Sequence, residues 1–117
     1  MNATKSVVDH HLESFRARDL DGILSDYAPG AVLITPQGPL EGVAAIRPLF
    51  EAMVAEFSQP GAKFELQRTI VSGDHAFIVW TAESSANVYE IGTDTFVVRD
   101  DRIALQTFAA RIVPKRR

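Results

Sequence analysis

The sequence predicts an α+β domain in which helices come first and a mostly antiparallel sheet follows. Apolar residues recur at helical spacing as far as Phe57, whereas apolar and polar residues alternate after Pro60-Gly61, as they do in strands. The chain has 117 residues, 46% of them hydrophobic, which is the size and composition of one compact domain. Because no linker or repeat interrupts it, we expect residues 1–117 to form a single domain.

The first two predicted helices are short and amphipathic. The first carries an apolar stripe comprising Val7, Val8, Leu12 and Phe15. We expect Thr4 to cap this helix and the stripe to end near Arg18. Asp19 is the expected cap of the second helix, which Pro29-Gly30 should end. The apolar face of that second helix comprises Leu20, Ile23, Leu24 and Tyr27.

A third helix is predicted after Gly42, and strands account for most of the remaining chain. The inward residues of this helix are Ile46, Leu49, Phe50, Met53, Val54 and Phe57. Pro48 predicts either a kink in the helix or a later effective start. The predicted strands cover residues 31–35, 63–71, 75–88, 92–99 and 103–113, with turns at 36–39, 72–74 and 100–102.

Composition excludes several classes of protein. The net charge of −3 gives no electrostatic basis for binding nucleic acid. The absence of cysteine rules out disulfides, thiolate catalysis and zinc–thiolate sites. No stretch approaches the ~20 apolar residues of a membrane span, and no secretory signal is recognised, so we expect a cytoplasmic protein. No metal-ligand spacing or phosphate-binding glycine loop is present, so no metal and no cofactor is predicted.

Both faces of the late strands carry apolar residues. One face of the central strand has Phe77 and Val79, and the other has Ile78, Trp80 and Ala82. The helices can cover one face of such a sheet, so the other predicts a homodimer formed through the outer face. We expect Trp80 to lie on that outer face, at the subunit contact.

Two ionisable residues interrupt apolar patterns. His11 lies within the stripe of the first helix, and Asp94 shares a strand face with Phe96 and Val98. Burial of such groups requires a partner, so both side chains suggest a lined cavity. The alternatives are a core histidine bonded to a backbone carbonyl and an aspartate at a turn or sheet edge. If His11 and Asp94 meet, the carboxylate fixes the imidazole tautomer and the pair becomes a candidate general base.

The other two histidines are weaker candidates. His10 is placed on the polar side of the first helix, near Glu13, and is expected to be solvated. His75 follows a turn and is expected to be exposed.

Three segments together resemble one superfamily over nearly the whole chain. They are residues 19–23 (DLDGI), 41–47 (EGVAAIR) and 92–103 (GTDTFVVRDDRI), the last running into 106–108 (QTF). Their order and spacing resemble the nuclear transport factor 2-like superfamily, in its SnoaL-like and ketosteroid isomerase-like branch. The resemblance implies a cone-shaped fold, with three helices packed on a curved sheet that encloses a pocket, and pairing through the outer sheet face.

The resemblance also implies roles for individual positions. Steroid isomerases of this fold place a carboxylate base just before a proline, where this chain has Thr35, a hydroxyl too weakly basic for the task. Their donor tyrosine matches His11, and their neutral aspartic acid matches Asp94. Tyr27 and Phe50 match supporting aromatic positions. Authentic ketosteroid isomerase activity is therefore not expected.

These observations predict a small-molecule pocket protein with cofactor-free acid–base chemistry on an apolar, carbonyl-containing ligand. The predicted catalytic residues are His11 and Asp94. The predicted pocket residues are Phe15, Tyr27, Thr35, Phe50, Phe96, Gln106 and Phe108, with Thr35 at the mouth. The alternative is a non-catalytic binding domain or a dimeric scaffold with a filled interior. A cavity of ~300 Å³ or more would favour a ligand.

Overall fold

The computed structural model describes residues 3–115. Helices and strands follow in the order α1 (Ala3–Arg16), α2 (Leu20–Ser25), β1 (Tyr27–Thr35), β2 (Gly38–Glu41), α3 (Val43–Phe57), β3 (Lys63–Ser72), β4 (His75–Glu83), β5 (Asn87–Arg99) and β6 (Arg102–Pro114). The strands form one sheet in the order β2-β1-β6-β5-β4-β3, in which the β1–β6 pair is parallel and the other pairs are antiparallel. Helix α1 packs on β3, β4 and β5, and α3 packs on β1 and β2. The predicted α+β cone is thus confirmed.

The helix termini agree only partly with the prediction. Asp19 caps α2 as expected, because its carboxylate accepts from the Gly22 backbone N–H at 3.0 Å. Thr4 is not a cap, since it lies inside α1 and its hydroxyl donates to the Gly73 carbonyl at 2.8 Å. Gly42 precedes α3 with a φ of 85°, and the helix runs through Pro48 without interruption.

The predicted boundary at Pro29-Gly30 was wrong. Helix α2 ends at Ser25, Asp26 is its C-cap, and Tyr27 already begins β1 instead of completing the helix. Pro29 and Gly30 are exposed residues inside β1, where the register to β6 shifts between Tyr27 and Val32. A proline without an N–H is tolerated at such a bulge, so the pair marks an irregular strand and not a helix end.

The long strand predicted at 75–88 is two strands. It ends at Glu83, and the chain turns so that the Ser84 hydroxyl accepts from the N–H groups of Ala86 and Asn87. Strand β5 then begins at Asn87, earlier than the predicted Gly92. The turn was missed because it contains neither glycine nor proline.

The inner face of the sheet is the one that carries Trp80. Ile78, Trp80 and Ala82 are buried beneath the helices, whereas Phe77 is 36% exposed on the other face. The predicted position of Trp80 on the outer face was therefore wrong, because the helices cover the sheet face that carries Trp80 and leave the face of Phe77 exposed. Within residues 3–115, no helix is long and apolar enough to cross a membrane. A cytoplasmic location stays a prediction.

Candidate functional site

A cavity lies between the inner face of the sheet and the helices α1 and α3. Most of its lining is aromatic or aliphatic, and its ionisable lining side chains are His11 and Asp94. The predicted pocket residues that line it are Phe15, Phe50, Phe96, Gln106 and Phe108. The space open to a water-sized sphere is about 60 Å³, which is far below the ~300 Å³ of ordinary ligand pockets.

His11 faces this cavity from α1 and is 4% exposed. Its Nδ1 is 3.2 Å from an Asp26 carboxylate oxygen, and its Nε2 is 3.3 Å from the Tyr27 hydroxyl. The rings of Tyr27, Phe50 and Phe96 surround it edge-on, with centroids 5.3, 5.7 and 5.8 Å away. The imidazole is thus held by two polar partners inside an aromatic shell. Neither partner is a backbone carbonyl.

Asp94 occupies the sheet side of the cavity, in β5, and is 7% exposed. Trp80 Nε1 donates to one of its oxygens at 2.7 Å, and Gln106 Nε2 donates to the other at 2.6 Å. Burial raises the pKa of Asp94, and this outweighs the two hydrogen bonds and the nearby His11, which act to lower it. A carboxyl with a raised pKa in a cavity wall is the kind of group used for acid–base work.

No direct hydrogen bond joins His11 and Asp94, but two side chains connect them. The Tyr27 hydroxyl donates to Gln106 Oε1 at 2.5 Å, and the amide nitrogen of Gln106 faces Asp94. The carboxylate that contacts His11 is Asp26, at the end of α2. The hypothesis that Asp94 orients His11 through contact was therefore wrong, and Asp26 takes that place.

The tautomer of His11 decides what its two contacts can do. A proton on Nδ1 is donated to the Asp26 carboxylate, and Nε2 then carries a lone pair that faces the Tyr27 hydroxyl. The single proton of that hydroxyl is given to Gln106, whose amide nitrogen donates to Asp94. The chain of contacts therefore ends at a ring nitrogen of His11 on one side and at a carboxyl oxygen of Asp94 on the other.

Burial keeps the connecting tyrosine protonated. The pKa of Tyr27 is raised well above its ordinary value by burial first, and then by the negative charges of Asp94 and Asp26. Tyr27 does not line the cavity itself. It lies behind it and links its two ionisable groups.

Trp80 is positioned by a glycine on the neighbouring strand. Trp80 pairs with Gly92 across β4 and β5, and a Cβ built at Gly92 would overlap the indole ring. The other side of the indole stacks on Phe108, with centroids 6.2 Å apart and planes within 5°. The ring is therefore held flat between a bare backbone and an aromatic side chain, with its N–H aimed at Asp94.

Thr35 does not belong to the site. Its hydroxyl donates to the Gly38 carbonyl at 3.0 Å and accepts from the Gln37 N–H at 3.1 Å. Those bonds close the turn between β1 and β2. The prediction of a contact at the pocket mouth was wrong, because a threonine next to a turn satisfies local backbone groups first.

The two remaining histidines are both exposed, as predicted, but each has a partner. His10 Nδ1 lies 2.8 Å from Asp26, the carboxylate that also contacts His11. His75 begins β4, outside the preceding turn, and its Nδ1 lies 3.0 Å from Asp74. Across residues 3–115, no group of three or more His, Cys, Asp or Glu side chains is arranged to hold a metal ion.

Three residues of the site were not predicted from the sequence: Asp26, Trp80 and Gly92. Asp26 follows α2 directly, and nothing in its spacing from His11 marks it as a partner. The contact between Trp80 and Gly92 was indicated in the sequence, because a glycine inside a predicted strand can mark a position where another group approaches the backbone closely.

The three helices and the curved sheet form the fold of solved structures named NTF2-like. The profile of the SnoaL-like domain matches residues 8–106. The chain belongs to the SnoaL-like family. No curated protein matches it.

Solved structures of the same fold share little sequence with this chain. An NTF2-like protein of unknown function from Mesorhizobium loti is 24% identical, with a TM-score of 0.78 and coverage of 93% of this chain and 91% of that one. A candidate ketosteroid isomerase from Kribbella flavida is 14% identical, with a TM-score of 0.77 and coverage of 93% and 78%. A candidate polyketide cyclase from Sinorhizobium meliloti is 21% identical, with a TM-score of 0.75 and coverage of 93% and 100%. These likenesses show the fold alone.

Proposed function

We propose that this chain is a cofactor-free acid–base catalyst for a small, largely apolar ligand that carries a carbonyl group. The observation that carries the proposal is the burial of His11 and Asp94 in the wall of one apolar cavity. Solvation favours ionisable groups at the surface, so their presence here needs a reason. The names of the two candidate enzymes of this fold, an isomerase and a cyclase, are consistent with such chemistry.

The two ionisable groups have different parts in the proposed reaction. His11, in its neutral form, is the base that removes a proton from carbon next to the carbonyl, and Asp26 orients its ring. Asp94, in its neutral form, donates a hydrogen bond to the carbonyl oxygen as negative charge develops there. Thr35 has no part, because its hydroxyl is bound in a turn.

Ligand entry requires the cavity to widen. The lining residues that are only partly buried are Leu49, Met53, Phe64 and Phe108. These mark the mouth, and the unbranched Met53 changes rotamer most easily. A ligand must displace them, since about 60 Å³ of free space does not hold a ring.

Hydrogen–deuterium exchange tests the proposal without knowledge of the natural substrate. Small cyclic ketones such as cyclohexanone are incubated in D₂O with the protein, and deuterium uptake next to the carbonyl is followed by NMR. We expect the protein to accelerate uptake, and His11→Gln to lower the protein-dependent rate by about 10²–10⁴-fold. His75→Gln is the matched control and should leave the rate unchanged. Uptake equal to that in buffer, or unchanged in His11→Gln, would contradict the proposal.

A second candidate function is non-catalytic, and the filled interior favours it. Besides the small free volume, every buried side-chain nitrogen and oxygen in residues 3–115 already has a hydrogen-bond partner. Thermal unfolding with the same ketones separates the candidates. A raised melting temperature without deuterium uptake indicates a binding protein, and no effect in either assay indicates a scaffold.

We also propose that the outer face of the sheet pairs two copies of the chain. An uncharged row crosses five strands of this face and comprises Ile34, Thr107, Thr95, Phe77 and Ile70. Ile34, Phe77 and Ile70 are 43%, 36% and 49% exposed in the single chain. Light scattering at micromolar concentration should report a dimer, and Phe77→Lys a monomer with an unchanged circular dichroism spectrum. A monomeric wild type would overturn this assignment.

A further inference from the structure

We infer that His10 and Asp26 form a proton path between solvent and the buried His11. The two histidines are adjacent on α1 and share one carboxylate. His10 Nδ1 lies 2.8 and 3.0 Å from the two oxygens of Asp26, and His11 Nδ1 lies 3.2 Å from the second oxygen. The inference rests on the proposed function only in its purpose, which is to supply His11 with protons.

The three side chains differ in their access to water in the way that a path requires. The His10 side chain is 55% exposed, that of Asp26 is 10% exposed, and that of His11 is 5% exposed. Neighbouring residues on a helix point about 100° apart, so one ring faces out and the other faces in. The contacts therefore lead from the surface to the cavity wall in two steps.

Backbone hydrogen bonds hold Asp26 in place beside the two rings. Its N–H donates to the Ile23 carbonyl at 3.3 Å, and its own carbonyl accepts from the Ile103 N–H at 2.7 Å. Asp26 thus joins the end of α2 to β6. A carboxylate fixed in this way can accept a proton from one imidazole and deliver a proton to the other.

A proton path that avoids the cavity is useful because a bound ligand would block access to His11 through the cavity mouth. Of these three residues, only His11 lines the cavity, whose mouth is apolar. A ligand in that mouth keeps bulk water from His11, whereas His10 lies outside the cavity and stays accessible to solvent. The remaining titratable group in contact with His11 is Tyr27, with Asp94 beyond it through Gln106.

The proton steps balance without any other group. A buffer acid or water gives a proton to the exposed His10 ring, and the proton on Nδ1 of His10 passes to Asp26. Asp26 then gives a proton to Nδ1 of His11. His10 ends as its other neutral tautomer, Asp26 ends as the carboxylate, and the base form of the buffer stays in solution. The reverse sequence removes a proton from His11.

Proton exchange at His11 in the ligand-free protein tests this path directly. Transfer of magnetisation from water to the His11 ring N–H is measured by NMR on protein with ¹⁵N-labelled histidine. We expect His10→Gln, whose amide still donates to Asp26, to slow the exchange about tenfold or more. His75→Gln is the matched control, because His75 is also exposed and also paired with an aspartate, Asp74. It should leave the exchange at His11 unchanged.

Added imidazole distinguishes a proton path from a structural effect. In His10→Gln, imidazole should restore the exchange rate in proportion to its concentration, because it replaces the missing ring next to Asp26. In Asp26→Asn the exchange should be equally slow but imidazole should not restore it, since the inner step is lost. Unchanged exchange in both variants, or slow exchange in His10→Gln that imidazole does not restore, would overturn the proposal. Deuterium uptake by ketones plays no part in this measurement, so the path and the proposed catalysis can fail separately.

Discussion

Two carboxyl groups of the fold, those of Asp94 and Glu56, have pKa values shifted in opposite directions. Asp94 lies in the cavity wall, accepts from Trp80 and Gln106, and has a raised pKa because it is buried. Glu56, near the end of α3, is half-buried and accepts from Ser84, Asn87 and Tyr89 at 2.6, 3.0 and 2.8 Å. Burial alone would raise the pKa of Glu56, but the three hydrogen bonds together lower it.

The difference shows how burial and hydrogen bonding compete in setting the pKa of a carboxyl group. Both groups accept hydrogen bonds from side chains, and in each case those bonds act to lower the pKa. Water access and the number of donors together leave Glu56 ionised, and it ties α3 to the β4–β5 turn. At Asp94 burial outweighs the two donors and raises the pKa, which favours the neutral acid that the proposed hydrogen bond to a carbonyl requires. The pKa of Tyr89 is raised, by burial first and then by Glu56, so Tyr89 stays a donor in this structural cluster.

The largest effect is expected at the glycine behind the indole. Gly92→Ala forces Trp80 away from its place between Gly92 and Phe108, and overpacking of this kind costs about 3 kcal/mol. Chemical unfolding measures the loss, and the fluorescence of the single tryptophan reports the displacement. Gly30→Ala is the matched control, because no atom lies within 4 Å of a Cβ added there. Equal stability of the two variants would contradict the packing described.

A smaller effect is expected when the structural carboxylate is removed. Glu56→Ala leaves the donors of Ser84, Asn87 and Tyr89 without their acceptor, which destabilises the fold by about 2 kcal/mol. Glu51→Ala on the same helix removes only an exposed ion pair with Arg47 and should change stability by less than about 0.5 kcal/mol. Urea unfolding of both variants measures the contrast. If Glu56→Ala is as mild as Glu51→Ala, the cluster does not hold α3.

The smallest effect is a difference in how stability depends on pH. Between pH ~3.9 and its raised pKa, Asp94 binds more protons in the folded protein than in the unfolded chain. Its contribution to stability therefore falls as the pH rises through that range. Glu56 has the opposite effect. Its contribution to stability is fully present above pH ~4.3 and is lost as the pH falls through its lowered pKa. Relative to wild type, Asp94→Asn should gain stability with rising pH, and Glu56→Gln should lose it. If the stability of both variants relative to wild type changes with pH in the same direction, the predicted difference between Asp94 and Glu56 is wrong.

The sequence predicted the residues whose position depends on local periodicity. His11 and Phe15 face inward because of helical spacing, and Asp94 and Phe96 face inward because strands alternate. Trp80 was correctly grouped with Ile78, but which face the helices cover is set by contacts between distant parts of the chain. That choice cannot be made from alternation alone.

The partners of the two central residues were the least predictable part of the site. Asp26 reaches His11 only because α2 ends at Ser25 and β1 begins at Tyr27, a boundary that the proline and glycine downstream concealed. Gln106 reaches Asp94 through the pairing of β5 with β6, and it reaches Tyr27 through the parallel pair β1–β6. A parallel pair between the first and last long strands leaves no local trace in the sequence.

The most direct test of the contrast between the two carboxylates is a pH titration of Trp80 fluorescence. Trp80 is the single tryptophan, and its N–H donates to Asp94, so its emission should change when Asp94 takes up a proton. We expect a transition with a midpoint above ~3.9, the ordinary value for aspartate, unchanged in Glu56→Gln and absent in Asp94→Asn. A transition at or below that value, or one that persists in Asp94→Asn, would contradict a raised pKa for Asp94 in the cavity wall.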